Sequence, residues 1–343
     1  MYKRQIGKVD TDKKVFIIAE LSANHNHSIQ VAKDTIYAAK VSGADAIKLQ
    51  TYTPNWMTID CKKNDFLIKG GTLWDGKNLF ELYKEAMMPL EWHEELFSYA
   101  RSLNLEIFSS PFSKEAVDFL EKFNPPAYKI ASFEITDYEL VDYTASKGKP
   151  IIVSTGIAEF EDIQNAVDTA KKYNIEIALL KCTSAYPAPR SEVNLKTIPA
   201  LKEIFNVTIG FSDHTLGISA PVAAVTMGAR IVEKHFILDK NIDSPDKDFS
   251  LTPNEFKEMV KAIREVEEMM GVVDFKPKKG REFARSLYVV KDIKKGEKFT
   301  RENIRAIRPG FGLHPKYLPQ ILGKKACKDL EKGTALKWEY VGE

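Results

Sequence analysis

Eight short runs rich in Val and Ile recur along most of this 343-residue chain: VFIIAE (15–20), AIKLQ (46–50), EIFSS (106–110), AYKIAS (127–132), PIIVST (150–155), EIALLKC (176–182), VTIGFSD (207–213) and RIVEKHF (230–236). Helical periodicity fills most of the intervals between them. Ser28 stands where an N-cap would open a helix to about Val41, with Gly43 just past its end. Further helices are expected over 91–103, 114–123, 138–147, 159–173, 217–228 and 253–270. Strand and helix alternating eight times predict an α/β fold of the (β/α)8 barrel type. An open doubly wound sheet is the competing arrangement. It would want a Gly-rich phosphate loop after an early strand, and the chain has neither a G-x-G-x-x-G nor a Walker A motif.

The stretch 51–90, including GGTLWDGKNLF, reads as a long insertion after the second strand, a common place for functional loops. The character changes near residue 271. Residues 1–270 are assigned to the barrel, 271–285 to a basic linker with Pro277 and Gly280, and 286–343 to a small β-rich module carrying SLYVV, IRAIRP and two Gly-containing turns. Charge divides the same way. From Lys276 onward there are 18 Lys and Arg against 8 Asp and Glu, and the preceding 275 residues carry 32 against 40. That asymmetry raises the question of an anionic partner for the tail. The tail's charges, however, are spaced singly or in KK pairs at turns, which argues against nucleic acid. A hydrophobic content of 44% argues against disorder. No apolar run reaches the ~18 residues of a membrane helix, and the first 16 residues lack a signal-peptide core. The three cysteines, Cys61, Cys182 and Cys327, are too far apart for a metal ribbon or a disulfide framework, so the cytoplasm is the expected compartment.

The chemistry of such a barrel lies where its strands end, and here every strand end is polar. They offer Glu20, Asn24 and His25; Lys48 and Gln50; Ser109 and Ser110; Lys129, Ser132 and Glu134; Ser154 and Thr155; Lys181, Thr183 and Ser184; Ser212, Asp213 and His214; Glu233 and His235. Solvent-facing strand ends would account for any one of these. They do not account for Lys48 between Ile47 and Leu49, or Lys129 between Tyr128 and Ile130, because a lysine in an apolar run needs an anion or a carboxylate. Two readings stay open. The lysines, with Ser110, Ser132, Ser154 and Ser212, make a cationic pocket for phosphate and carboxylate, or they are tied into ion pairs with Glu20 or Glu134. Period-two geometry puts Lys48 and Gln50 on one strand face, and Glu233 and His235 on another, with Lys234 opposite. His214 and His235 end adjacent strands about 5 Å apart. With Glu20, Asp213, Asp246 and Asp248 near in sequence, they suit a divalent ion with open water positions.

These segments also carry a resemblance. IIAELSANHN, GADAIKLQTY, IFSSPFS, PAYKIASFEITD, PIIVSTG, LLKCTSAYPAP, IGFSDHTLG and VEKHF resemble the NeuB-type nonulosonic (sialic) acid synthases over the whole barrel, and the tail module is similar to the SAF, or antifreeze-like, domain. Within that family, ELSANHNHS, GGTLWDG and ASFEITD look most like the pseudaminic acid branch; the sialic and legionaminic branches more often read EIGxNHxG and GSGE. The resemblance implies condensation of phosphoenolpyruvate with an acyclic amino-sugar aldehyde, release of phosphate, a divalent metal (Mn2+ or Mg2+, with Co2+ a third option) and a homodimer with swapped C-terminal domains. The sugar implied is 2,4-diacetamido-2,4,6-trideoxy-L-altrose, with N-acetylmannosamine or the legionaminic precursor as the alternative. Residue by residue, it implies that Lys48, Ser110, Lys129, Ser132, Ser154, Ser184 and Ser212 hold phosphoenolpyruvate. Ser110 stands where relatives often have Thr, and Ser184 where many have Asn, which shortens its reach. Gln50, Tyr186, Asp246 and Arg308 are implied sugar-side residues, Arg308 from the partner's tail. His214 and His235 are the implied metal ligands, Lys48 and Lys129 the charge stabilisers, and Glu20 or Glu134 the proton carrier. A barrel making 3-deoxy sugar acids from sugar phosphates would need a second phosphate clamp, and the body has few arginines to build one. A module holding nucleic acid or ice is the reading from another class.

Overall fold

Parallel strands buried on both faces need apolar side chains on both sides, and the eight Val/Ile runs supply them. In the computed structural model, which describes residues 5–69, 75–276 and 279–343, a hairpin of β1 (Gln5–Ile6) and β2 (Val9–Asp10) comes first. The strands that follow are β3 (Phe16–Glu20), β4 (Ala46–Thr51), β5 (Glu106–Pro111), β6 (Tyr128–Ile130), β7 (Ile151–Ser154), β8 (Ile177–Cys182), β9 (Thr208–Asp213) and β10 (Ile231–His235). These eight are parallel and close into a barrel in chain order, β10 pairing with β3. The competing open sheet is thereby excluded.

The helices are α1 (Ile29–Val41), α2 (Pro54–Met57), α3 (Leu79–Ala86), α4 (His93–Ser102), α5 (Lys114–Glu121), α6 (Tyr138–Ala145), α7 (Phe160–Lys172), α8 (Thr197–Phe205), α9 (Ser219–Thr226) and α10 (Pro253–Met270). Ser28 caps α1 by accepting from the Val31 N–H at 3.4 Å, as its sequence position implies. One barrel helix, α8, had no counterpart in the periodicity because Pro199 interrupts it. Pro199 is the third helical residue, where the backbone N–H has no intrahelical acceptor to lose. The insertion 51–90 is partly ordered by α2 and α3, with Asn78 capping α3. Gly70–Trp74 of its GGTLWDG segment lie outside the described residues.

Alternation divides the strand residues into two shells. Ile17, Ala19, Ile47, Leu49, Ile107 and Val153 face the helices and join the large outer core. Phe16, Ile18, Ala46, Phe108, Ile152, Ala178, Leu180 and Ile231 fill the barrel, and Ile6 of the hairpin plugs its N-terminal end. Gly210 belongs to that inner layer. A Cβ there would sit 2.4 Å from Leu180 and 2.7 Å from Ile231.

The chain divides into two compact units, Met1–Gly271 and Val272–Glu343. In the second, β11 (Ser286–Val289) and β12 (Ile304–Ile307) pair antiparallel over a core of Leu287, Val289, Ile293, Phe299, Ile304, Ile321, Leu330 and Leu336. Among the described residues no helix is long and apolar enough to cross a membrane.

Candidate active site

The parity that aims Phe16 and Ile18 inward also aims Glu20 inward, and the rule repeats around the barrel. Ala46 is followed at even spacing by Lys48 and Gln50, Phe108 by Ser110, Ala127 by Lys129, Ile152 by Ser154, and Ile231 by Glu233 and His235. Each of these six strands therefore puts an apolar residue into the lower barrel and an ionisable or hydroxyl residue at its C-terminal mouth. Register sets the neighbours: His235 lies beside Glu20, Glu20 beside Lys48, Gln50 beside Ser110, and Ser212 beside Glu233.

Two lysines and two carboxylates form the floor of the mouth. Lys48 Nζ lies 2.9 Å from Glu20 Oε2 and 3.4 Å from Glu233 Oε1, and donates to Ser110 Oγ at 3.3 Å. Lys129 Nζ donates to Ser154 Oγ at 2.7 Å and lies 3.8 Å from Glu233 Oε1. Ser212 Oγ donates to that same oxygen at 3.1 Å. The two open readings of the lysines are thus both partly true: they sit in the mouth, and their charge is balanced from within. Burial alone would lower the Lys48 ammonium, but Glu20 and Glu233 outweigh it and hold it above its ordinary value. Burial lowers Lys129. Glu233 is held below the usual carboxylate range by the two lysines against the pull of burial. Burial pushes Glu20 up to about 7, Lys48 opposing and the Glu233 charge adding. Of the pair flanking Lys48, Glu233 is the ionised member and Glu20 the one that takes a proton near neutrality. Burial also pushes Glu134 up to about 7, with Lys129 opposing.

Hydroxyls line the next stretch of the rim. Ser184 Oγ and Ser132 Oγ are 2.8 Å apart, and Ser132 Oγ accepts from the Ile157 N–H at 3.0 Å. Gly156 makes that approach possible: a Cβ on it would lie 2.2 Å from Ser184 Oγ and 2.7 Å from Ser132 Oγ. The shortened side chain at position 184 still reaches the hydroxyl cluster.

The histidine rings of His214 and His235 lie 5.3 Å apart between Tyr186 and Phe249. His214 Nδ1–H donates to the Thr183 carbonyl at 3.0 Å, which leaves the Nε2 lone pair available. His235 Nδ1 makes no hydrogen bond and lies 3.6 Å from Asp246 Oδ2. Burial holds His235 well below the ordinary imidazole value, so it is neutral. A neutral imidazole with an unpartnered buried nitrogen, His235, beside a second ring whose Nε2 is left open, His214, fits a borderline divalent ion. Among the described residues no third His, Cys, Asp or Glu completes a protein-only cluster. Of the other carboxylates expected near the pair, Glu20 is the register neighbour of His235, and two are elsewhere. Asp213 is consumed by Lys234 at 2.6 Å, both fully buried on the opposite strand face, and Asp248 is exposed.

Asp246 sits by His235, and Gln50 donates to Glu20 Oε1 at 3.0 Å and to Ser22 Oγ at 2.8 Å. Arg308 lies exposed in the second unit, just past β12. Glu233 is a site residue that the strand-end pattern alone does not single out. It contacts both lysines and Ser212, and its parity with His235 is the signal for it in the sequence. Asn24 is a second. Its amide donates to the Phe236 carbonyl at 3.0 Å and Ser250 Oγ at 2.8 Å, and accepts from Ser244 Oγ at 2.6 Å, so it ties down the loop that carries Asp246 and Phe249.

Known proteins are similar to this chain. Residues 35–274 match the NeuB family and residues 284–341 the SAF domain. A pseudaminic acid synthase of Campylobacter jejuni (strain 81-176) is 54% identical, covering 97% of this chain and 98% of its own length. A pseudaminic acid synthase of Helicobacter pylori is 52% identical over 93% of this chain and 96% of its own. An N,N'-diacetyllegionaminic acid synthase of Legionella pneumophila is 37% identical over 95% and 94%. The crystal structure of the Bacillus subtilis spore coat polysaccharide biosynthesis protein spsE superposes with a TM-score of 0.67 at 35% identity, covering 98% of both chains. With a matched family model over most of its length and these relatives end to end, the chain belongs to the NeuB family.

Proposed function

We propose that this protein is a pseudaminic acid synthase, joining phosphoenolpyruvate to 2,4-diacetamido-2,4,6-trideoxy-L-altrose with release of phosphate. The observation that carries the choice of sugar is the identity of 52–54% to the pseudaminic acid synthases against 37% to the legionaminic one, over nearly the same span. The geometry supports the chemistry. Lys48, Lys129 and the hydroxyls of Ser110, Ser132, Ser154, Ser184 and Ser212 make a buried, donor-rich mouth for a phosphate and a carboxylate. Gln50, Tyr186 and Asp246 line the side toward the histidines, where the sugar binds, and Arg308 comes from the partner's tail in a swapped homodimer. His214 and His235 hold the divalent ion, Mn2+ or Mg2+. When bound, it supplies Lewis-acid polarisation of the sugar carbonyl.

In the reaction, C3 of phosphoenolpyruvate bonds to the aldehyde carbon and the aldehyde oxygen takes up a proton. Water adds at C2, and the C2–O bond to phosphate then breaks to leave a ketone. The lysines stabilise the phosphate and carboxylate charges throughout. Glu134 is the favoured proton donor: burial pushes it up to about 7, whereas Glu20, pushed up as far, is committed to Lys48 and Gln50. The cytoplasm is the compartment proposed, consistent with three unbonded cysteines.

Phosphate release from phosphoenolpyruvate tests this with the altrose derivative, N-acetylmannosamine and the legionaminic precursor, each with and without EDTA. The altrose derivative should give the highest kcat/KM, with EDTA abolishing release and Mn2+ restoring it. Release with none of the sugars would sink the synthase reading, and a preference for another sugar would sink the branch. His235→Ala retaining near wild-type turnover in metal-depleted buffer supplemented with Mn2+ would exclude the histidine pair as the metal site.

A further inference from the structure

Ser22 lies two residues beyond the inward-facing Glu20, buried at 5% exposure, with φ at +49°. That backbone conformation disfavours any residue with a Cβ. A serine nevertheless stands there, and its hydroxyl has two partners. It accepts from Gln50 Nε2 at 2.8 Å and hydrogen-bonds to the carboxylate of Asp246. Donor and acceptor roles follow from the chemistry. An amide N–H only donates, so the Ser22 hydroxyl accepts from Gln50 and keeps its own O–H for the Asp246 carboxyl. Gln50 Nε2 also donates to Glu20 Oε1 at 3.0 Å. Both N–H bonds of the Gln50 amide are therefore spent, and only its carbonyl oxygen is left to face a ligand. The result is a continuous chain from Lys48 through Glu20, Gln50 and Ser22 to Asp246, which ends 3.6 Å from His235.

We propose that Ser22 is a specificity-determining positioning residue: its hydroxyl locks the Gln50 amide with the carbonyl oxygen toward the sugar and anchors Asp246 beside it. The Gln50 carbonyl then selects a sugar bearing an N–H or O–H donor at that place, such as an acetamido group, and disfavours one presenting an acceptor. The inference rests on the synthase reading above, because it assigns Gln50 and Asp246 to the sugar side of the mouth. Ser22 itself need not touch the substrate.

The test is a set of Ser22→Ala, Ser22→Gly, Gln50→Ala and Ser22→Ala/Gln50→Ala proteins assayed by phosphate release with phosphoenolpyruvate and the diacetamido altrose derivative. The two Ser22 variants should raise the sugar KM about tenfold while the phosphoenolpyruvate KM stays within about twofold, since only orientation on the sugar side is lost. Ser22→Gly should melt above Ser22→Ala, because glycine adopts the left-handed backbone freely. A raised KM in the glycine variant therefore cannot be assigned to strain or misfolding. In the Gln50→Ala background, adding Ser22→Ala should change the sugar KM by less than about twofold, the mark of two residues acting through one interaction. A wild-type sugar KM in Ser22→Gly overturns the proposal. So does a phosphoenolpyruvate KM that rises in step, or additivity with Gln50→Ala. The wild-type rate separates the two levels: its absence with every sugar overturns the synthase reading together with this one, whereas a normal rate with unaffected Ser22 variants overturns only the role of Ser22.

Discussion

Glu20 and Glu134 are both carboxyls pushed up toward neutrality by burial, but their partners differ. Glu20 is held by Lys48 and Gln50, whereas the charge acting most on Glu134 is that of Lys129. Glu134→Gln is isosteric and removes the proton, so it should lower kcat by roughly 10²–10⁴ while both KM values change little. The same shift has a stability signature. A carboxyl raised from 4.5 to about 7 in the folded state stabilises the fold below its unfolded value and loses that contribution as pH rises through the folded one. Thermal or denaturant unfolding should show the wild type losing roughly 1 kcal/mol more than Glu134→Gln between pH 6 and 8. An identical pH slope in the two proteins would contradict the buried, protonated assignment. Gly156 makes a different demand. With 2.2 Å to Ser184 Oγ, Gly156→Ala must push the Ser132–Ser184 pair apart, and the expected outcome is a phosphoenolpyruvate KM raised about tenfold or more at nearly unchanged melting temperature. Calorimetry beside the kinetic assay checks both halves.

At the level of elements, the loop after β10 depends on one amide. Asn24 uses its donors and its acceptor on Phe236, Ser250 and Ser244, all buried or backbone partners. Asn24→Leu leaves those groups unsatisfied and should cost about 2–4 kcal/mol in denaturant unfolding. It should also raise the sugar KM by releasing Asp246. Helix α8 gives the opposite expectation. Because Pro199 occupies a first-turn position, Pro199→Ala restores an N–H that has no acceptor, and stability should change by less than about 1 kcal/mol. That explains why the sequence pattern missed this helix: a proline inside an apolar period reads as a breaker, and its harmlessness appears only once the helix start is known. The strands were legible for a stronger reason. Each run is apolar on both faces, flanked by turn residues, and too short for a buried helix. Their inward parity could be read as well, because Phe16 and Ile18 share it with Glu20, and Ala46 with Lys48.

For the whole molecule, closure of the barrel converts a list of polar strand ends into one site. β10 pairing with β3 brings His235 and Glu233 beside Glu20 and Lys48, although more than 180 residues separate them in the chain. The excess of acidic groups in the first 275 residues and of basic groups from Lys276 onward remains a property of two separately folded units. If the tail of one chain docks on the body of another, as the swapped homodimer requires, sedimentation should show a dimer that weakens with salt in the range where the screening length falls from about 10 Å to 3 Å. A monomer at low salt and assay concentrations would remove Arg308 from the site.

By itself the sequence determined the eight barrel strands, which polar residues end them, the placing of His214 and His235 on adjacent strand ends, the change of character between barrel and tail and, through its motifs, the family. These are local or period-two properties, written in consecutive residues. Only the tertiary structure decided which charges neutralise which. Glu233 rather than Glu134 bridges the lysines, Asp213 is spent on Lys234, and Ser22 joins Gln50 to Asp246. Those partnerships depend on strand stagger and on loops folding back over the mouth, and the distances they set, a few ångströms between residues far apart in the chain, fix the protonation states on which the chemistry depends.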